Sequence, residues 1–463
     1  MITSVYYASL VFACLFAWAN WRRAIYLAVL LDFLRDPVRK LDSDESVRIT
    51  VSILAVWGVI AFAAWSQSQR EIRRGLKINP LLIHAFRLLL LATIPGCIVA
   101  LLLYQEGYKM VALGLVSYLA PTAGVVLGLV LPKNREDITN LLKFYSIING
   151  AALIGVIAEF QQWPLPALGG LRGMNWIRYS GDEIVDLIGG FYRSPDIMGL
   201  HAAQVVMFSL ILTVNRPRRF SVIWLSLAVF ASLCLLLSGR RKMLGIPLVW
   251  AALLGIFCYL RKIRLMSGIF VPMVTLGAAA GGIYFLTTEK LVGDEYANYS
   301  QTLFTDGVAR TRAIVVGSLQ STFLQSGLLG SGIGCVTQGN HHVVKEGARN
   351  AWQEDGASRL LKELGAAGLL FILMSLWYLG KAIWAAISRV PHDGTLPLFQ
   401  LMLLCAVIAN GMSFLISHQQ YSGDPPSALI VLLVLGMFFA VSDFQIMDTG
   451  RSENARSFKR LDV

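Results

Sequence analysis

The chain has 463 residues, of which 56% are hydrophobic and only 15% charged, and its mean hydropathy is +0.61. That composition cannot be arranged as a water-soluble globule and predicts a polytopic membrane protein. The formal charge of +12 does not point to nucleic acid in such a chain, because cations there anchor cytoplasmic loops beside anionic lipid.

In chain order, the first apolar stretch, about residues 4 to 20, lacks a basic leader and a small-residue cleavage site and reads as a retained helix. Residues 22 to 46 hold an apolar core of about ten residues (Ala24 to Leu34) flanked by Arg22, Arg23, Arg35, Arg39 and Lys40. This predicts an interfacial amphipathic helix, with a short thirteenth span as the alternative. Further runs close to the roughly 20 residues a bilayer requires lie at about 49–67, 82–104, 109–131, 138–160, 197–215, 220–238, 243–260, 266–287, 365–387, 396–417 and 427–442. With the first, they make about twelve spans in an all-α polytopic fold.

Orientation follows from where lysine and arginine collect: Arg70, Arg73, Arg74 and Lys77; Lys133 and Arg135; Arg216, Arg218 and Arg219; Arg261, Lys262 and Arg264; Lys381 and Arg389; and the tail. These alternate correctly for one cytoplasmic face. The outer segments are then 105–108, 161–196, the Ser238 to Lys242 turn, 288–364 and 418–426. Arg240, Arg241 and Lys242 break this rule, and a polyanionic headgroup or diphosphate is the physical candidate for their partner.

The organisation expected is a helix bundle over 1–287, a large outer loop over 288–364 folded as a cap, C-terminal spans over 365–442 and a cytoplasmic tail over 443–463. Ala313 to Leu324 and Ala357 to Leu364 look helical within the cap region. Of the six cysteines only Cys335 lies in an extended polar segment, so neither a disulfide framework nor zinc spacing follows.

Several outer arginines could meet phosphate. Arg193 precedes the span carrying His201, Arg310 and Arg312 precede a Gly330, Gly332, Gly334 turn, and Arg240 and Arg241 occupy the short turn. A guanidinium offers a fixed fork of donors that matches phosphate oxygens, so converging arginines suit a leaving diphosphate. The bland reading is a headgroup anchor or a partner for a loop carboxylate. Glu354 stands at a helix start, either as a favourable cap or as a base for a sugar hydroxyl. Arg359 and Glu363 share a helix face at i, i+4 and form a stabilising pair. His341 and His342 are adjacent in a polar loop without metal spacing, and no metal site is expected. His201 in the outer half of a span suggests a cavity, and His418 an interface.

This arrangement resembles the O-antigen polymerase and O-antigen ligase superfamily over roughly residues 138 to 442. The motifs are Arg312 about eighteen residues before the Gly330, Gly332, Gly334 turn, the Glu363, Leu364, Gly365, Gly368 pattern, and Leu237 to Arg241, similar to that family's Ser-x-Ser-Arg turn. One departure stands out, since the family's histidine, eleven residues before Gly365, is Glu354 here.

The resemblance implies a GT-C-like glycosyltransferase of a bacterial inner membrane, acting at the outer, periplasmic face in exopolysaccharide or O-antigen-type synthesis. It implies a polyprenyl-diphosphate-linked glycan donor and a sugar hydroxyl acceptor, joined without cofactor, nucleotide sugar or metal, with other polysaccharide-assembly proteins as partners. Arg193, Arg240, Arg241, Arg310 and Arg312 would hold the diphosphate, and Glu354, or else His341 or His342, would serve the acceptor. The rivals are a transporter or flippase of a lipid-linked glycan or anionic solute, and a non-enzymatic subunit of an export machine.

Overall fold

The computed structural model describes the chain except residues 43–45, 171–175, 181–182, 216–217, 264–276, 278–316, 341–352, 391–394 and 460–463. The predicted span at 266–287, Arg310, Arg312, His341 and His342 fall outside the described residues. The N-terminal helices are α1 (Ile2–Ala19), α2 (Trp21–Leu41), α3 (Ser46–Gln67), α4 (Gln69–Ile78), α5 (Pro80–Leu103), α6 (Gly107–Leu119) and α7 (Ala123–Val130). They are followed by α8 (Arg135–Ala152), α9 (Ile154–Phe160), α10 (Pro195–Asn215), α11 (Arg218–Leu237) and α12 (Arg241–Leu260). The C-terminal part holds α13 (Ser318–Ser326), α14 (Gly356–Arg389), α15 (Leu396–Ile416), α16 (Gln419–Ser422) and α17 (Pro425–Lys459). The two described strands, Trp176–Ser180 and Glu183–Leu187, pair antiparallel with Trp176 opposite Leu187.

Among the described residues, ten helical segments are long and apolar enough to cross a membrane: α1, α3, α5, α6 with α7, α8 with α9, α10, α12, α14, α15 and the first part of α17. The chain is therefore an all-α polytopic membrane protein, its backbone groups paired within helices as lipid requires. Helix α11 adds a further apolar stretch, Ser221–Leu237. Helix α10 and the first part of α17 are the most enclosed of these spans, burying Met207, Phe438 and Phe439. Helices α5 and α14 turn Leu102, Trp377 and Trp384 outward. Gly124 and Gly128, one turn apart on α7, pack directly on the Leu429 and Leu433 carbonyls of α17, where a Cβ would overlap backbone.

Helix α2 runs antiparallel to α1 and α3. At one end Arg22 meets Glu71 at 2.5 Å and Gln67 donates to the Trp18 carbonyl at 2.6 Å. At the other, Thr3 donates to Asp42 at 2.5 Å and Lys40 to the Gly190 carbonyl at 2.6 Å. Its 21 residues give a rise of about 30 Å, the thickness of a hydrocarbon core. Its start is fixed by Asn20, whose side chain accepts from Arg23 N at 3.2 Å.

Candidate functional site

The bundle end that carries Gly190 and Asp42 also carries the loop joining α15 to α17, residues 417–424. This loop collects contacts from five parts of the chain. Lys242 donates to Ser417 Oγ at 2.7 Å. His418 donates its backbone N–H to the Glu354 carbonyl at 3.2 Å, and its Nε2 lies 2.9 Å from the Gln353 carbonyl. Ser117 donates to the Ser422 carbonyl at 3.5 Å, and Arg193 to the Gly423 carbonyl at 3.0 Å. Asp424 pairs with Arg35 at 2.9 Å.

The short turn before α12 is built by its own residues. Ser238 Oγ accepts the Arg240 N–H at 3.1 Å, and Gly239 takes φ +62°, a left-handed conformation glycine adopts freely. The turn throws Arg240 and Lys242 onto Asp196, in the first turn of α10, at 3.2 and 2.9 Å. Two cations thus share one carboxylate, and both remain about a fifth exposed, at 23% and 21%. Arg241 is the first residue of α12.

Glu354 is exposed, immediately before Asp355, which is the cap of α14 and accepts the Ser358 N–H at 2.7 Å. The carboxylate one residue earlier is thereby left outside the capping role. Because the Glu354 carbonyl receives His418 N–H and Lys242 reaches Ser417, Glu354 and the Arg240–Lys242 turn flank the same loop. His418 is buried between Gln353 and Ser422, its Nδ1 2.7 Å from Ser422 Oγ. Burial, and then the nearby Arg359 guanidinium, push this imidazole down to about 3. It is neutral, with Nε2–H donating to a carbonyl.

Two buried charge clusters hold this end together. In the first, α2 presents Asp32, Arg35, Asp36 and Arg39 on one face, at i, i+3 and i, i+4 spacing. Arg35 lies 3.1 Å from Asp32, 3.5 Å from Asp36 and 2.9 Å from Asp424. Arg193 donates its backbone N–H to Asp36 at 3.0 Å, and its guanidinium stands 4.0 Å from Asp424. Burial raises the Asp424 carboxyl, but Arg35 and Arg193 outweigh burial and hold it well below the usual carboxylate range. Arg193 is thus committed to the loop rather than turned to solvent.

In the second cluster Glu363 accepts from Arg359 Nε at 3.2 Å, Tyr118 OH at 2.7 Å, Val336 N at 3.0 Å and Thr337 Oγ1 at 2.9 Å. Arg359 also reaches Ser117 at 2.8 Å and Thr337 at 2.9 Å. The Gly330 to Gly334 turn therefore docks directly on the Glu363-Leu364-Gly365 segment, with Ser331 N to the Lys362 carbonyl at 2.6 Å and Ile333 N to Gly96 at 2.9 Å. Gly365 takes φ +70°, against Leu328 and Leu329, where a side chain would be strained. Burial pushes the adjacent Cys335 thiol up, consistent with a packing role rather than a reactive one.

His201 is buried inside the bundle, within range of the Asp424, Asp36 and Arg35 charges. Its Nδ1 meets Tyr145 OH at 2.6 Å and its ring stacks on Tyr192 at 5.1 Å. Of the predicted site residues, Arg193 and the Glu354 backbone touch residues 417–424, Arg240 stands in the turn whose Lys242 reaches Ser417, and the hydrogen bond of His201 is to Tyr145. The carboxylates Asp196, Asp32, Asp36 and Asp424 escape the sequence reading, which names Lys242 in the cationic turn, His418 as an interface residue and Arg35 and Arg39 as flanking cations, although the opposite charges at helical spacing in 32–39 signal a shared face. Among the described residues no group of three or more His, Cys, Asp or Glu side chains is placed to hold a metal ion. No protein-family profile matches the chain, and no curated protein shows significant similarity to it.

Proposed function

We propose that the protein is a membrane glycosyltransferase that polymerises or ligates polyprenyl-diphosphate-linked oligosaccharides at the outer face of a bacterial inner membrane, within polysaccharide assembly. The observation that carries this reading is the meeting of the cationic turn and Glu354 on one loop at one end of an apolar bundle. The positive-inside rule supports reading that end as extracytoplasmic, since Arg70 to Lys77, Arg135, Arg261 and Arg389 lie at the other, the Arg240–Lys242 turn being the exception. The course of α2 between the two ends favours a thirteenth crossing over a surface helix.

Arg240 and Lys242, sharing Asp196, leave the turn with a surplus positive charge that suits a diphosphate at the membrane surface. The Glu354 carboxylate takes the proton of an acceptor hydroxyl as its oxygen bonds to the donor's anomeric carbon. The bond from that carbon to the diphosphate oxygen breaks, and polyprenyl diphosphate leaves against Arg240 and Lys242. One direct displacement inverts the anomeric centre. Arg193 acts as a positioning residue, fixing Gly423 and Asp424.

The test is reconstitution with a polyprenyl-diphosphate-linked oligosaccharide and an acceptor glycan. Wild type should lengthen or transfer the glycan, and Glu354→Gln should bind donor without turnover. Cells lacking the protein should accumulate single repeat units at the outer side. Lipid-linked sugar retained inside would instead indicate transport.

A further inference from the structure

At the opposite end of the bundle, α4 joins α3 to α5 and has two unlike faces. Arg70, Arg73, Arg74 and Lys77 fall at i, i+3, i+4 and i+7, one stripe of a helix, and all four are exposed. The other side seats Ile72 and Gly75, with Gly75 against Leu129 of α7. The helix carries one carboxylate, Glu71, which Arg22 takes at 2.5 Å. Its C-terminal end is pinned by Arg389, which donates to the Ile78 carbonyl at 2.9 Å and to Asn79 Oδ1 at 2.8 Å. Asp443, the other nearby carboxylate among the described residues, stands 3.9 Å from Arg389 and also feels the Arg74 charge. The helix is thus held firmly while its four cations face outward.

The neighbouring stretch of α14 marks the depth. Trp377 and Trp384 are exposed, and Lys381 sits 5.0 Å over the Trp377 ring. His84 of α5 lies against Tyr378 at 5.5 Å. Exposed tryptophans with a lysine beside them mark the boundary between acyl chains and headgroups of a bilayer. A cationic stripe at that depth, with both nearby carboxylates among the described residues already paired, is complementary to negative headgroups.

We infer that α4 is a docking surface for anionic phospholipid headgroups, with Arg70, Arg73, Arg74 and Lys77 as the contacts and the Trp377–Trp384 face of α14 beside the acyl chains. The site lies at the far end from the proposed glycan chemistry and does not depend on it.

The experiment uses the full chain, purified in detergent and stripped of lipid, with thermal unfolding followed during titration with short-chain phosphatidylglycerol, phosphatidylcholine or inorganic phosphate. Phosphatidylglycerol should raise the midpoint, and the other two should not. At about fivefold per cation, changing all four to glutamine should weaken the phosphatidylglycerol response at least about a hundredfold. The Arg70→Lys, Arg73→Lys, Arg74→Lys variant should retain it. Should the fourfold variant fail to fold, 1 M salt on wild type replaces it and should abolish the response. Equal responses to both lipids, an undiminished response in the glutamine variant or in high salt, or matching stabilisation by free phosphate would overturn the inference.

Discussion

The two charge clusters beneath the 417–424 loop solve one problem in different ways. Glu363 has a single cationic partner, Arg359, and fills its remaining acceptor positions with Tyr118, Val336 and Thr337. Arg35 instead shares Asp32, Asp36 and Asp424, at 2.9 to 3.5 Å. A lone buried pair has no reserve, so losing one member strands the other in a medium that cannot solvate it. A cluster of alternating charges redistributes the loss. The first design gives a rigid seat for the glycine turn, and the second a fastening among α2, the Arg193 segment and α17.

The largest effect expected from this contrast is at Glu363. Replacing it with alanine strands Arg359 and unpairs Val336 N, and should cost about 3–5 kcal/mol in detergent unfolding. The pH response comes next. His418 has a folded value of about 3 against 6.5 when free, so the unfolded chain takes up the proton first. Stability attributable to this group is therefore complete above pH 6.5 and falls as pH drops toward 3. By pH 5 the loss should reach about 2 kcal/mol, and His418→Gln should flatten that slope. The smallest is Asp424→Asn, about 1–2 kcal/mol, because Asp32 and Asp36 still face Arg35. If Asp424→Asn proves costlier than Glu363→Ala, the shared-charge account of the α2 cluster fails.

How much of this was legible beforehand depended on sequence distance. Apolar runs of about 20 residues announce themselves, and ten of them lie in helices of sufficient length. The Arg359 and Glu363 pair was readable because i, i+4 spacing sets both side chains on one face. The α2 charges were harder to read. Arg35 and Arg39 looked like flanking cations because nothing local reveals that Asp424, at the start of α17, closes over them. The bland alternative for outer arginines, pairing with loop carboxylates, describes Arg193 with Asp424 and Arg240 with Asp196. No local pattern connects Asp196 to residues 240 and 242, or Ser417 to Lys242, since those contacts arise only when α10, α12 and α15 pack side by side. The glycines of 330–334 and 365 were visible as a pattern, but their mutual docking required the fold.

The central claim is that the Arg240–Lys242 turn and Glu354 act together across the 417–424 loop. The most direct measurement is single-turnover glycan transfer from a polyprenyl-diphosphate-linked donor, comparing wild type, Arg240→Ala, Glu354→Gln and the double variant. The account predicts a loss of about a hundredfold or more for each single change, and a double variant far less impaired than the product of the two. Turnover at the wild-type rate in Arg240→Ala and Glu354→Gln would contradict it.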